Sequence, residues 1–123
     1  MRDFVDAAKA LSDETRLRIL NLLFERECCV CEVMQVLEIS QTRASRNLNL
    51  LYDSGFLKLR REGLWAYYSI ERNELEDYLS LLLDAVARGL RESKIADLDR
   101  EHLKHAQRIG PLCCDSSQTK ELT

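Results

Sequence analysis

Five cysteines have the most distinctive chemistry in this chain. Cys28, Cys29 and Cys31 fall within four positions of the stretch ECCVCEV, and Cys113 and Cys114, which we call the tail pair, are adjacent near the end of the sequence. Thiolates are soft ligands that select soft ions and disfavour magnesium, calcium or manganese. In a reducing compartment, such a cluster indicates metal, metalloid or redox chemistry rather than structural disulfides.

The spacing of the clustered thiols determines how they can hold an ion. On a regular helix, residues i and i+2 point to nearly opposite sides, whereas i and i+3 share a face. Cys29 and Cys31 can therefore close on one ion only in an extended segment, so we expect their joint ligation to unwind the start of a helix. Cys28 and Cys31 can bind with that helix intact. A third thiolate can come from Cys28 or from the tail pair, within one subunit or from the other.

Other chemistries can use the same side chains. Cys28 and Cys31 with the tail pair can supply four thiolates to zinc or cadmium, and a reactive cluster can respond to thiol oxidation. His102 and His105 fall on an apolar seam with heptad-like spacing, which favours interface packing over a metal site. A small thiol oxidoreductase is the alternative from a different class. The sequence lacks its strand-helix-strand context, a Gly-rich phosphate loop and a nucleophile elbow, so we predict no enzyme.

The composition is that of a small helical domain. The chain has 123 residues, with only 4 Gly and 1 Pro, which favours one mainly α domain. Its net charge of -3 gives no indication of nucleic-acid binding, so such binding must rest on a local basic patch. No stretch has the length and apolarity of a membrane helix. The acidic start lacks a signal core, so we expect a cytoplasmic protein.

Four helices are predicted in the first half of the chain. Residues 2–10 form the first, and Ser12 is predicted to cap the second. A short third helix follows, and Ser40 is predicted to cap a fourth that runs to about Ser54, with Gly55 as its left-handed C-terminal residue. The apolar face of the third helix comprises Val30, Val33, Met34 and Leu37.

The second half begins with a change of period. The stretch FLKLRREGLWAYYSI alternates around a charged Gly turn and predicts a β-hairpin. Asn73 and Glu76 are predicted to form the capping box of a long helix that extends to Leu90, and a last helix is predicted from Ser93 to Arg108. The long helix is apolar on two sides, so it needs its own domain and a second subunit as partners. This pattern predicts a symmetric homodimer.

A short helix, a tight connector, a longer helix and a basic hairpin, in this order, indicate a winged helix-turn-helix. The longer helix suits a major groove, and its polar face has residue types that bind base edges and phosphates. The alternative is an ordinary polar helix face and a solvated hairpin. The predicted DNA contacts are Gln41, Thr42, Arg43, Ser45, Arg46 and Asn49 on the helix, and Lys58, Arg60 and Arg61 on the hairpin.

Several stretches resemble the ArsR/SmtB family of dimeric metal-responsive repressors. They are LSDETRLRILNLL, CVCEV and ISQTRASRNLNLLYDSGFLKLRREGLWAYYSI, and the resemblance covers roughly residues 3–92. The CVCE segment is similar to the start of the third helix in arsenic-sensing members. Many arsenical repressors have a third cysteine where this chain has Met34. Cys28 and the tail pair also depart from the common pattern.

The resemblance implies a transcriptional repressor. It would bind operator DNA as a winged helix-turn-helix dimer and release the DNA when trivalent arsenic or antimony is bound by three thiolates. A repressor of the same fold that responds to zinc, cadmium or thiol oxidation is the alternative. We expect residues 1–110 to form the DNA-binding and dimerisation domain and residues 111–123 to form a short tail that carries the tail pair.

Overall fold

The predicted combination of helices and a small hairpin is confirmed. A computed structural model describes residues 1–109, which form six α-helices and a three-stranded antiparallel sheet. The tail pair lies outside the described residues. The helices are α1 (Arg2–Ala10), α2 (Glu14–Glu25), α3 (Val30–Leu37), α4 (Gln41–Asp53), α5 (Asp77–Gly89) and α6 (Lys94–Leu103), and the strands are β1 (Cys28–Cys29), β2 (Lys58–Glu62) and β3 (Trp65–Ser69).

The core lies between α2, α3 and α4. Leu20, Leu48 and Phe56 are completely buried there, and α5 adds Leu79 and Leu83. Burial of each such side chain contributes about 1.5–3 kcal/mol. This core packs α3, which contains Cys31, against α4.

The beginnings of α2 and α4 are set by side-chain caps. Ser40 caps α4 as predicted, because its hydroxyl accepts a hydrogen bond from the backbone N–H of Arg43 at 3.2 Å. The prediction of Ser12 as the cap of α2 is wrong. Asp13 has that role and accepts from the backbone N–H of Arg16 at 3.1 Å. The Ser12 hydroxyl instead donates to a carbonyl in the last turn of α1 at 2.7 Å.

Two glycines take up left-handed backbone conformations. Gly55 follows α4 with φ of 96°, as predicted, and a side chain there would approach Leu79 at 3.1 Å. Gly63 has φ of 62° and lies in the two-residue turn between β2 and β3. Both positions favour glycine because an L side chain is strained at such φ values.

The sheet has the order β1-β3-β2, and each strand presents alternate residues to its two faces. Cys28 pairs with Tyr68, whereas Cys29 pairs with Tyr67. Directly opposed residues share a face, so Cys28 and Cys29 lie on opposite faces. The core face carries Cys28, Tyr68 and Leu59, and the outer face carries Cys29, Tyr67 and Arg60.

Two predictions about the C-terminal helices are wrong. A 3-10 turn occupies Arg72–Glu74, and α5 begins after Glu76, whose side chain makes no capping hydrogen bond. Helix α6 ends at Leu103 and not at Arg108. Its predicted apolar seam is exposed, with Ile95 and Leu98 at 47% and 58% exposure. The histidines of that seam are exposed too.

The buried face of α6 is instead partly polar. Its buried residues are Ala96, Asp99 and Leu103. The Asp99 carboxylate accepts two hydrogen bonds from Arg18 at 2.7 and 2.9 Å, and the Asn21 amide donates to the Ala96 carbonyl at 3.0 Å. These bonds fix α6 against α2, because a buried carboxylate and a buried amide are costly without partners.

Candidate functional site

Cys29 and Cys31, which we call the thiol pair, converge at the start of α3. Their sulfur atoms lie 2.6 Å apart. Cys29 is the N-cap residue with extended backbone angles, φ −92° and ψ 169°, and α3 begins only at Val30. The prediction that joint ligation unwinds the helix is therefore wrong, because Cys29 already lies outside the helix. Two thiolates on one tetrahedral ion with bonds of roughly 2.3 Å are about 3.8 Å apart, so small side-chain rotations suffice.

The thiol pair is sheltered by the outer face of the sheet. Cys29 is 0% and Cys31 3% exposed, and both pack with Tyr67 in a small cluster distinct from the main core. Trp65 stacks on Tyr67 with ring centroids 5.9 Å apart. An ion held here would be shielded from water and would lie against the second strand of the hairpin.

Cys28 belongs to the other side of the sheet. It is completely buried in the main core, and its thiol donates a weak hydrogen bond to the Arg26 carbonyl, with a sulfur–oxygen distance of 3.6 Å. Burial, with a further contribution from the negative charge of Glu32, raises the pKa of Cys28 to about 12. Cys28 therefore faces the main core, on the side of the sheet opposite to the cluster that contains the thiol pair.

A buried glutamate holds the thiol pair in place. Glu32 is 2% exposed, and its carboxylate accepts from the backbone N–H of Cys29 at 2.9 Å. The same carboxylate forms ion pairs with Arg26 at 2.7 Å and with Arg108 at 3.2 Å. A buried carboxylate requires such partners. Glu32 therefore fixes the extended conformation of Cys29 from which the two sulfurs converge.

Two guanidinium groups stack on Tyr67, the aromatic neighbour of the thiol pair. Their central carbons lie 4.4 Å (Arg60) and 4.6 Å (Arg108) from the ring centroid. The pKa of Arg108 is raised: burial opposes the charged form, but the hydrogen bond to Glu32 and the charges of Glu32, Tyr67 and Cys29 outweigh it. Two cationic side chains therefore lie on the aromatic ring that covers the thiol pair.

No complete metal site forms among the described residues. Within residues 1–109, no three His, Cys, Asp or Glu side chains converge in a geometry that could hold an ion. His102 and His105 are exposed, and His105 lies 3.9 Å from the Glu101 carboxylate.

The predicted DNA-contacting residues of α4 form an exposed row, with one exception. Thr42, Arg43, Arg46 and Asn49 are exposed, and Ser45 is half-buried. Gln41 is only 6% exposed, so we do not retain it as a DNA contact. Among the exposed residues, Asn49 is oriented by the Tyr68 hydroxyl, which donates to its side-chain oxygen at 3.1 Å, and Arg43 donates to the Thr15 hydroxyl at 3.1 Å.

The hairpin cations are exposed but differ in their partners. Lys58 forms an ion pair with Glu74 at 2.5 Å. Arg60 is shared between Glu27 at 2.7 Å and Glu62 at 2.6 Å. No ion pair of Arg61 occurs within the described part of the chain. Arg61 is thus the hairpin cation with its charge most available to a phosphate.

Glu32, Tyr67 and Arg108 belong to the site but are not predicted from the sequence. A signal for Glu32 was present, since a residue three positions after an N-cap can bond back to it, as in a capping box. The register that places Tyr67 beside Cys29 is a long-range property with no local signal. Arg108 is separated from Glu32 by most of the chain, and its spacing indicated only a helix.

The order of α3, a tight connector, α4 and the β2–β3 hairpin defines a winged helix-turn-helix DNA-binding regulator. Comparisons with known proteins agree: residues 13–59 match the family described as bacterial regulatory protein, arsR family. The chain belongs to this ArsR family. The family and the fold are those of DNA-binding transcriptional regulators and not of enzymes, as predicted. No helix within residues 1–109 is long and apolar enough to span a bilayer.

Two relatives and one solved structure illustrate the similarity. A Staphylococcus aureus homolog of the cadmium resistance transcriptional regulatory protein CadC is 44% identical over 70 residues, 56% of this chain and 58% of that protein. The arsenical resistance operon repressor of Bacillus subtilis (strain 168) is 32% identical over 81 residues, 65% of this chain and 77% of that protein. The homodimeric winged helix-turn-helix domain of Mb0332 from Mycobacterium bovis is 30% identical, with a TM-score of 0.62, 76% of this chain covered and 82% of that one.

Proposed function

We propose that this protein is a transcriptional repressor that binds operator DNA as a homodimer and releases it when trivalent arsenic or antimony binds its thiolates. The observation that carries this proposal is the convergence of the two sulfurs of the thiol pair, 2.6 Å apart under an aromatic cover. The B. subtilis relative is named as an arsenical resistance operon repressor, which supports both the repressor activity and the effector.

The chemistry of ion capture is ligand exchange at soft donors. Arsenous acid, As(OH)3, would exchange its three hydroxyl groups for three cysteine sulfurs and release three water molecules, with no change of oxidation state. Cys29 and Cys31 supply two of the sulfurs. Zinc normally requires four ligands in a closed site, and the core position of Cys28 removes one of the thiols that such a set would need.

The tail pair is the best source of the third thiolate. Arg108 contacts both Glu32 and Tyr67 at the thiol pair, and Cys113 follows it by only five residues in the sequence. Five extended residues span roughly 17 Å, more than a side-chain contact distance. Either cysteine of the tail pair is thus within reach of an ion held by Cys29 and Cys31.

We infer that DNA is bound through the exposed row of α4 and the hairpin. Arg46 and Asn49 are suited to base edges in a major groove, and Arg61 is suited to a phosphate. The exposed row, without Gln41, and the hairpin cations form the proposed interface. Its members are Thr42, Arg43, Ser45, Arg46, Asn49, Lys58, Arg60 and Arg61.

Release of DNA follows from the location of the thiol pair beside the hairpin. Tyr67 packs on the thiol pair, and Arg60 of the hairpin stacks on Tyr67 while pairing with Glu27, just before β1. An ion held by the two sulfurs lies against Tyr67 and changes this arrangement. The hairpin then moves relative to α4, so α4 and the hairpin can no longer contact the DNA at the same time.

The dimer is proposed to form through α1 and α5. Phe4 and Leu81 are 49% and 67% exposed, and Phe4 contacts the Tyr78 ring with centroids 5.7 Å apart. Large apolar side chains exposed together indicate an interface, and a symmetric dimer would present two copies of α4 to successive turns of DNA. The homodimeric M. bovis domain supports the same assembly.

Cadmium is the second candidate effector, since the S. aureus relative is a homolog of a cadmium resistance regulator. A fluorescence titration separates the two. Trp65 is the only tryptophan in the chain, and its contact with Tyr67 makes its emission sensitive to the thiol pair. Arsenite should change this emission and release labelled operator DNA over the same concentration range. A response to cadmium without one to arsenite would identify cadmium as the effector. Operator binding that neither ion alters would refute the proposed regulation.

A further inference from the structure

The hydroxyl of Tyr68 reaches from the sheet to the helix that is proposed to contact DNA. Tyr68 lies in β3, the central strand, where it pairs with Cys28 on one side and with Leu59 on the other. Tyr68 is 6% exposed and packs in the main core. Its hydroxyl donates to the side-chain oxygen of Asn49, on α4, at 3.1 Å. One end of this hydrogen bond is therefore fixed by a buried ring, and the other lies on the exposed face of α4.

The backbone of α4 is rigid at Asn49. Its neighbours Leu48 and Leu51 are completely buried. Thr42, Arg46 and Asn49 are exposed and share one face of the helix, because residues three, four and seven positions apart lie on the same side. An exposed asparagine side chain ordinarily samples several conformations, and the hydrogen bond from Tyr68 selects one of them.

The direction of this hydrogen bond determines which part of the Asn49 amide faces outward. An asparagine side chain has a carbonyl oxygen that accepts and an NH2 group that donates. Tyr68 engages the oxygen from the protein side, so the NH2 group is the part presented to a ligand. In the major groove, guanine, adenine and thymine all present acceptors, whereas cytosine presents only a donor. A bidentate contact with adenine would need the oxygen and the NH2 group together.

We propose that Tyr68 is a positioning residue that sets a base preference: it holds Asn49 so that the amide NH2 group donates to an acceptor on a base edge. This inference rests on the proposed function, in which α4 enters the major groove. Because the side chain is oriented before the DNA arrives, less rotational freedom is lost on binding. Tyr68 acts through Asn49 and needs no contact of its own with the DNA.

Tyr68→Phe is the substitution that tests this role, because it removes the hydroxyl and keeps the ring in the core. The probe is a DNA duplex that the wild-type protein selects from a library of random sequences, and affinity is measured by fluorescence anisotropy without effector. We expect Tyr68→Phe to bind this duplex about 2- to 10-fold more weakly, the range for losing one pre-oriented side chain. Ser69→Ala is the matched control and should leave the affinity unchanged. Ser69 is the next residue of β3, and its hydroxyl donates to the Glu71 carboxylate at the same distance of 3.1 Å.

A double-mutant cycle separates positioning of Asn49 from a general effect on the hairpin. Tyr68→Phe is measured in the wild type and in an Asn49→Ala background, and each base pair of the selected duplex is replaced in turn. We expect Tyr68→Phe to weaken binding only when Asn49 is present. We also expect Tyr68→Phe and Asn49→Ala to relax the preference at the same base-pair position. An equal loss of affinity in both backgrounds would overturn the positioning role.

Asn49→Asp tests the direction of the amide. The aspartate carboxylate can accept from Tyr68 as the asparagine oxygen does, but it presents an acceptor where asparagine presents its NH2 group. The added negative charge should weaken binding to every sequence, so the measurement is the ratio of affinities among the four base pairs at the position found for Asn49. We expect the wild-type preference to be lost. An unchanged preference would overturn the proposed orientation.

Failure of this inference can be distinguished from failure of the proposed function. Full affinity of Tyr68→Phe, together with weakened binding by Asn49→Ala, would overturn the role of Tyr68 while the proposed function stands. A wild-type protein that selects no DNA sequence would refute the proposed function and the inference with it.

Discussion

Glu32→Gln is the substitution that most directly probes how the thiolate site is held together. Glutamine keeps the size of the side chain and a carbonyl oxygen that can still accept from the Cys29 N–H, but it removes the charge that pairs with Arg26 and Arg108. The substitution therefore isolates the electrostatic part of the arrangement. Glu32→Ala also removes the acceptor and leaves the Cys29 N–H buried without it.

The loss of stability expected for Glu32→Gln depends on how deeply its ion-pair partners Arg26 and Arg108 are buried. Breaking a fully buried ion pair costs about 3–5 kcal/mol, but the side chains of Arg26 and Arg108 are 38% and 35% exposed and can turn to water. We therefore expect Glu32→Gln to lower the free energy of unfolding by about 1–3 kcal/mol, the range for hydrogen bonds to charged groups. Glu32→Ala should cost about 1–3 kcal/mol more, because a buried donor loses its partner.

Urea denaturation at a fixed protein concentration measures both values, since the stability of a dimer depends on concentration. Glu62→Gln is the control: its side chain is 71% exposed and pairs with Arg60, so it should change stability by less than about 0.5 kcal/mol. If Glu32→Gln were as stable as the wild type, or if Glu32→Ala cost no more than Glu32→Gln, the reasoning about this buried carboxylate would be refuted.

Three further predictions concern DNA, assembly and pH. Arg46→Ala and Asn49→Ala should each weaken specific operator binding by about 1–3 kcal/mol, whereas Arg61→Ala should weaken binding to all sequences and reduce the salt slope by about 1 in fluorescence anisotropy; unchanged operator affinity would refute the placement of α4. Leu81→Asp should give monomers in analytical ultracentrifugation, and a persistent dimer would exclude this face. Burial raises the pKa of Cys28 from 9.0 to about 12, so its folded state holds a proton that the unfolded state loses. The contribution of this protonated thiol to the free energy of unfolding is complete below pH 9. It is lost as pH rises towards 12, by up to about 1.4 kcal/mol per pH unit. Equal pH dependences of the free energy of unfolding for Cys28→Ala and the wild type, measured by urea denaturation, would contradict this.

The first four helices could be predicted because their signals are local. Apolar spacing and the Ser40 cap indicate α3 and α4 without reference to the rest of the chain, and Gly55 marks the end of α4. The Ser12 error arises from two adjacent capping residue types: Ser12 closes α1, and Asp13 opens α2. Sequence alone did not indicate which of the two bonds each side chain would form.

The geometry of the thiolate site could not be predicted because long-range pairing determines it. Strand β1 has only two residues, and its partner β3 lies about forty positions away in the chain. This pairing holds Cys29 in an extended conformation outside α3, and it turns Cys28 into the core. The face of α6 that is buried within its own chain could not be predicted for a related reason. Asp99 occupies that face through an ion pair with Arg18, and a periodicity of apolar residues gives no signal for a buried carboxylate.

The central claim is that an ion held jointly by Cys29 and Cys31 releases the DNA. The most direct test is arsenite titration of operator-bound protein by fluorescence anisotropy, with Cys31→Ser compared against Cys28→Ala as a control from the opposite face of the sheet. We predict that the wild type and Cys28→Ala release the operator when arsenite is added, whereas Cys31→Ser binds the operator and remains bound. Full release by Cys31→Ser, or loss of release in a folded Cys28→Ala, would contradict the account.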